Sequence, residues 1–150
     1  MLNKKPIEQR FWEKVGEHSD PHTCWLWLGG KGGIYGHFKN GQRTVCAHRF
    51  AYELLVGSIP EGFTIDHVKA RGCINSLCVN PLHLEAVSRG VNVLRGIGPP
   101  ALNARKVVCS NGHPFDEKNT YVWHGRRGCR ICQKLRMEQW RYRHVETYTK

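Results

Sequence analysis

No stretch of this chain approaches the ~18 consecutive apolar residues that a membrane-spanning helix needs. Its opening residues, MLNKKPIEQR, lack the apolar run of a secretory leader. The expected setting is therefore the cytoplasm, a reducing interior without a membrane partner. There, paired cysteines read as metal sites rather than disulfides. Internal repeats and low-complexity tracts are also absent, which excludes a solenoid or a disordered linker protein. Acidic residues are scarce. Only 12 Asp and Glu stand against 23 Lys and Arg, giving a formal charge of +11 and a pI near 9.6. That balance points to a polyanionic partner bound in a salt-sensitive way. Charge alone does not separate DNA from RNA or from an acidic membrane surface.

What is present is cysteine and histidine. In 150 residues, 40% of them hydrophobic, the chain has material for a modest core, and seven cysteines with nine histidines suggest metal staples. One disulfide with spare thiols is the competing reading, and a reducing interior disfavours it. The positive charge is uneven: residues 97–150 hold eleven Lys and Arg against four Asp and Glu.

Hydrophobic periodicity and turn residues predict an α+β chain. A short amphipathic helix is expected over residues 6–16, with Pro6 in its first turn and Gly16 as a stop. Strands are expected in TCWLWLGG and GIYGHFK. Asn40-Gly41 should turn the chain into RTVCA. Residues 47–56 should be helical, followed by a strand FTIDH, an irregular loop over 68–82, a strand HLEAVS and a short helix RGVNVLRG. The GIGPPAL stretch reads as a linker. The expected organisation is thus a first domain over 1–96, a linker over 97–104 and a basic module over 105–150 that ends in a helix from about residue 131 to 143.

The segment IDHVKARGCINSLCVNPLHLEAVSRGVNVLRG carries most of the chemistry. A strand ending in Asp66-His67, a loop, a second strand and a helix bearing Asn92 form a ββα unit. Such a unit brings a base and hard oxygen donors to one small cleft. Asp66 and Asn92 suit magnesium or manganese, and His67 is the base candidate because imidazole titrates near neutral pH. Adjacent strand residues point to opposite faces, so both reach one phosphate only where the strand ends or bends.

The spacing Cys73-x4-Cys78-x4-His83, with Asn92 nine residues on, resembles the zinc box of the His-Cys box homing endonucleases. AHRFAYELLVGSIPEGFTIDH and CVNPLHLEAVSRGVNVLRG are similar to the HNH endonucleases common in bacteriophage genomes. The resemblance covers about residues 10–96 and implies a zinc-stapled ββα-metal nuclease core. By it His67 is the general base, and Asp66 and Asn92 hold one catalytic cation. In the His-Cys box the base lies two residues before the first cysteine, whereas Val68 to Gly72 intervene here.

His83 is either a zinc ligand or a brace for the ββα turn, and the neighbouring cysteines favour zinc. A tetrahedral site needs a fourth ligand. Cys24, in an element resembling the family's C-W-x-W-x-G, is preferred to Cys46, which reads as a buried thiol. Arg49 either stabilises the leaving group, as an arginine does in related nucleases, or pairs with Glu53 one turn on. His48 reads as a packed core histidine.

In the tail, Cys109-x3-His113 followed by Cys129-x2-Cys132 has zinc-knuckle spacing and resembles an element often appended to phage HNH proteins. Arg126, Arg127, Arg130, Lys134, Arg136, Arg141 and Arg143 surround it as candidate phosphate contacts. Trp140 and Tyr142 read as packing residues. The resemblance therefore implies a metal-dependent DNA endonuclease with two structural zinc ions and one Mg-type cation. Its partner is double-stranded DNA, with a homodimer as the alternative to a monomer. An inactive zinc-stabilised DNA-binding protein is the other reading, and RNA cleavage a third.

Overall fold

Phe11, the centre of the first half of the chain, shows how that half is assembled. The computed structural model describes residues 5–145. Contacts divide the chain into two units, Met1–Arg95 and Gly96–Lys150. In the first, helix α1 (Ile7–Trp12) starts after Pro6, which takes the N-cap position rather than the first turn. It drives Phe11 into a cluster with Val15, Trp27, Phe38, Ala47, Ala51 and Val79. Phe11 stacks on Trp27 at 5.2 Å and meets Phe38 edge-on at 5.2 Å. Trp27 lies so close to Gly29 and Gly36 that a Cβ at either would collide with the indole. Those two glycines are required by close approach rather than by a turn.

The strand expected in TCWLWLGG is reduced to isolated bridges, Val15 with Trp27 and Leu26 with Cys78. Residues 25–27 do run extended, but their neighbours on both sides are loops. Trp27 N–H donates to Leu77 O at 2.9 Å and Leu28 N–H to Lys14 O at 2.8 Å, and no ladder extends from them. The next strands pair as expected. Strand β1 (Lys31–Gly32), β2 (Tyr35–Lys39) and β3 (Thr44–Cys46) form an antiparallel sheet in the order β1-β2-β3. Gly41, at φ +102°, makes the β2–β3 turn.

Strand β3 runs straight into α2 (Ala47–Leu55), whose inner face buries Ala47, His48 and Ala51. The ββα unit follows. Strands β4 (Phe63–His67) and β5 (Leu84–Ser88) pair antiparallel along their whole length, from Phe63 opposite Ser88 to His67 opposite Leu84. Helix α3 (Arg89–Arg95) contacts both strands.

The second unit has little apolar interior. Among its described residues only Ala101, Asn119 and Cys129 are buried. The stretch expected as a linker contains helix α4 (Pro99–Arg105). Paired prolines read as a break, yet here they occupy the first helical turn after Gly98, where a missing N–H costs nothing. Strands β6 (Thr120–Trp123) and β7 (Arg126–Cys129) form a hairpin. Its turn residues His124 and Gly125 both have positive φ, 47° and 70°, as a type I′ turn requires. Helix α5 (Arg130–Val145) begins directly after Cys129. Asn119 Oδ1 accepts from Ile131 N–H at 3.0 Å and so caps it.

Replacing Phe11 by Ala should cost about 3–5 kcal/mol. Leu28, which is 69% exposed, should tolerate Ala within about 0.5 kcal/mol. Urea titration of the metal-loaded chain checks both, and equal losses would contradict this packing.

Candidate active site and metal centres

Four side chains from two separated stretches of the first unit converge on one point. Cys24 precedes the extended 25–27 segment, Cys73 and Cys78 lie in the loop after β4, and His83 ends a short 3₁₀ turn (Pro81–His83) before β5. Their ligand atoms all lie within 4.8 Å of one another. His83 Nδ1 is 3.6 Å from both Cys24 Sγ and Cys78 Sγ. A tetrahedral zinc with bonds of ~2.3 Å to sulfur and ~2.0–2.1 Å to nitrogen needs ligand edges of about 3.5–3.8 Å. The donors are soft, three are thiols, and the spacing fits, so this quartet could hold zinc. Cys46, half-buried at the end of β3, stands outside it.

One thiol of this quartet, Cys73, is biased toward losing its proton. A hydrogen bond from Cys78 brings the Cys73 thiol down to about 4, despite burial, while the same bond and burial push Cys78 up. Asn80 ties the loops together. It is fully buried, donates through Nδ2 to Pro21 O and Thr23 O at 2.7 Å, and accepts at Oδ1 from Leu82 N–H at 3.0 Å. Its own N–H faces Cys78 Sγ at 3.4 Å. Sequence reasoning passed over Asn80. The Asn-Pro dipeptide in CVNPLHL was the available signal.

The second unit repeats the chemistry with Cys109, His113, Cys129 and Cys132, again within 4.8 Å. Cys109 Sγ lies 3.5 Å from His113 Nδ1 and 3.6 Å from Cys132 Sγ, and Cys129 Sγ lies 3.7 Å from His113 Nδ1. These edges also suit zinc. Asn111 Nδ2 and the Cys132 N–H supply hydrogen bonds to Cys132 Sγ and Cys129 Sγ, which stabilise thiolates.

Strand β4 stays regular through His67, its last residue, so Asp66 and His67 have different neighbours. Asp66 stands opposite Glu85 across the ladder. Arg95 Nη1, from the end of α3, reaches both, at 3.2 Å to Asp66 Oδ2 and 2.8 Å to Glu85 Oε2. Arg71 Nη2 adds a 3.4 Å contact to the same Glu85 oxygen. The Arg95 hydrogen bond holds the Glu85 carboxyl below the usual carboxylate range. Asn92, half-buried, precedes Arg95 by one helical turn. The Asp66 carboxylate and Asn92 amide are hard oxygen donors that fit a magnesium-type cation and not the soft zinc of the quartets.

His67 turns to another set. Its Nδ1 lies 3.4 Å from Cys73 Sγ, and its ring centre is 5.0 Å from that of His48 and 6.2 Å from that of Tyr35. His67 Nε2 and His48 Nδ1 are buried and have no hydrogen-bond partner among the described residues. Burial, followed by the nearby His67 and Arg49, drops His48 to about 3, so it stays neutral near pH 7. Arg49 makes no ion pair with Glu53 among the described residues.

The basic residues of the second unit divide into two kinds. Arg127 donates through Nη2 to Asn103 O at 2.6 Å and Lys106 O at 2.7 Å, and stacks over Phe115 at 4.0 Å. It binds the end of α4 to the hairpin. Arg126, Arg130, Lys134, Arg136, Arg141 and Arg143 are exposed along β7 and α5. Trp140, expected to pack, is 54% exposed and stacks on His144, and Tyr142 is exposed as well.

The comparisons with known proteins fall on this ββα unit and its surroundings. Residues 45–94 match the HNH endonuclease family, as the resemblance in the sequence implied. The uncharacterized gene 5.3 protein of Enterobacteria phage T3 is 27% identical over 86 residues, which cover 52% of this chain and 81% of that protein. No solved structure matches. Cys24 and the second quartet lie outside the matched segment. No helix among the described residues is long and apolar enough to cross a membrane.

Asn80→Ala would remove the two hydrogen bonds to the Pro21 and Thr23 carbonyls and the one from Leu82 N–H. A loss of about 1–3 kcal/mol is expected, with faster removal of metal by a chelator. Unchanged stability and unchanged stripping rate would contradict the bracing role.

Proposed function

We propose that this chain is a metal-dependent endonuclease that hydrolyses phosphodiester bonds of double-stranded DNA. The observation that carries the reading is the Asp66-His67 pair at the end of β4, with His67 braced on one ring nitrogen and unpaired on the other. With Nδ1–H donating to Cys73 Sγ, the buried Nε2 lone pair would be left to take a proton from a water that enters the cleft with the substrate. Because β4 ends at His67, a phosphate at the strand end is within reach of both faces. Asp66 and Asn92 hold the Mg-type cation, which when bound stabilises negative charge developing on the phosphate. Arg49, on α2 beside His48, is assigned to the leaving-group oxygen. Cys24, Cys73, Cys78 and His83 hold one structural zinc, and Cys109, His113, Cys129 and Cys132 hold a second.

The exposed Arg126, Arg130, Lys134, Arg136, Arg141 and Arg143 bind the DNA backbone, with Arg127 assigned to the fold instead. Phosphate contacts of this kind raise affinity without reading sequence. Arg141→Ala should therefore weaken binding across unrelated sequences and lower the salt slope by about 1.

The test is supercoiled plasmid with magnesium, cut by the zinc-loaded chain beside His67→Ala and Asp66→Ala. Wild type should give open-circle or linear DNA. His67→Ala should lose ~10²–10⁴-fold in rate while keeping DNA binding and, by elemental analysis, about two zinc ions per chain. Intact plasmid with wild type would favour the inactive DNA-binding reading. Full cleavage by His67→Ala would overturn the mechanism.

A further inference from the structure

Arg95 lies outside the set of residues that the nuclease reading requires, yet it reaches the one carboxylate that reading depends on. We propose that Arg95 is a built-in counter-ion that competes with the catalytic divalent cation for Asp66, and that Glu85 is the site to which Arg95 withdraws. The proposal rests on the assignment of Asp66 as a cation ligand.

The geometry is specific. Arg95 Nη1 is shared between Asp66 Oδ2 at 3.2 Å and Glu85 Oε2 at 2.8 Å, so a single nitrogen already favours Glu85 slightly. Asp66 and Glu85 face each other across a regular antiparallel pair, which keeps the two acceptors at a fixed separation. Asp66 is the less accessible of the two, with its side chain 13% exposed against 33% for Glu85. A guanidinium on Asp66 therefore sits where a hard cation must bind. Two positive charges on one carboxylate oxygen repel at contact distance, so Arg95 and the cation exclude each other there.

Removing Arg95 from Asp66 would be costly if its charge had nowhere to go. Glu85 provides that place, and Arg71 limits it, because Arg71 Nη2 already contacts the same Glu85 oxygen at 3.4 Å while its Nη1 donates to Leu84 O at 3.2 Å. The helix sets the reach. Arg95 lies one turn after Asn92, so the competitor and the second oxygen ligand ride on the same face of α3. Arg95 is thus a positioning residue. It acts on cation affinity through Asp66, and Glu85 acts through Arg95.

Manganese binding to the zinc-loaded full-length chain tests this without relying on cleavage, with free Mn²⁺ counted by electron paramagnetic resonance. Arg95→Ala should bind Mn²⁺ about tenfold more tightly, a shift typical of two linked sites. Arg95→Lys should fall between it and wild type and guards against a misfolded Ala variant, whose zinc content is measured in the same samples. Glu85→Gln should weaken binding, because Arg95 then rests on Asp66 alone, and this effect should shrink severalfold in the Arg95→Ala background. Unchanged or weaker Mn²⁺ affinity in Arg95→Ala would overturn the competition. An equal Glu85→Gln effect in both backgrounds would overturn Glu85's role. Asp66→Asn should abolish the binding. If it does not, the Asp66 assignment itself fails, a result distinct from both others.

Discussion

Two segments far apart in sequence, one carrying Cys24 and the other the β4–β5 connection with Cys73, Cys78 and His83, meet at one point, and much of the first unit's geometry depends on that meeting. Residues 25–27 gain only isolated bridges from their neighbours, and the loop after β4 has two short 3₁₀ turns and no ladder of its own. Trp27 and Val79 anchor them in the core, but neither segment is held by a hydrogen-bonded ladder. The quartet and the Asn80 hydrogen bonds tie the two together. They also reach the cleft, because Cys73 is at once a member of the quartet and the partner of His67 Nδ1. The staple and the base are therefore mechanically continuous.

The second unit makes the same argument more starkly. A hairpin and two helices in which three of the described residues are buried gain little from apolar area, whose contribution is roughly 25 cal/mol per Å². Cys109, His113, Cys129 and Cys132 join the knuckle, the end of β7 and the first turn of α5, and Asn119 caps that helix from beside them. Helix α5 then extends away from the cluster with its basic side chains exposed. The chain's positive charge is accordingly divided. Arg71, Arg95 and Arg127 are engaged by carboxylates or carbonyls inside the fold, whereas the arginines of α5 face outward.

Spacing and periodicity were legible where a local pattern carries the information. Strand β4, strand β5, helix α3 and the Asn40-Gly41 turn could be read from residues close in sequence, and the grouping of the cysteines and histidines from ligand spacing, with Cys24 added only by the family resemblance. Other features depend on contacts that no local pattern encodes. The TCWLWLGG strand failed because its partners are loops. The Pro99-Pro100 break became the start of α4 because the prolines sit where no N–H is needed. Arg95, Arg127, Asn80 and Asn119 look like ordinary surface or turn residues in the sequence. Each has a partner 10 to 59 positions away that becomes visible only in three dimensions.

The dependence of the fold on two Cys₃His centres is tested most directly by X-ray absorption at the zinc edge of the purified full-length chain. The account predicts a first shell averaging three sulfurs at about 2.3 Å and one nitrogen at about 2.0–2.1 Å per zinc. A shell dominated by oxygen and nitrogen, or a chain whose cysteines are oxidised to disulfides and hold no zinc, would contradict it.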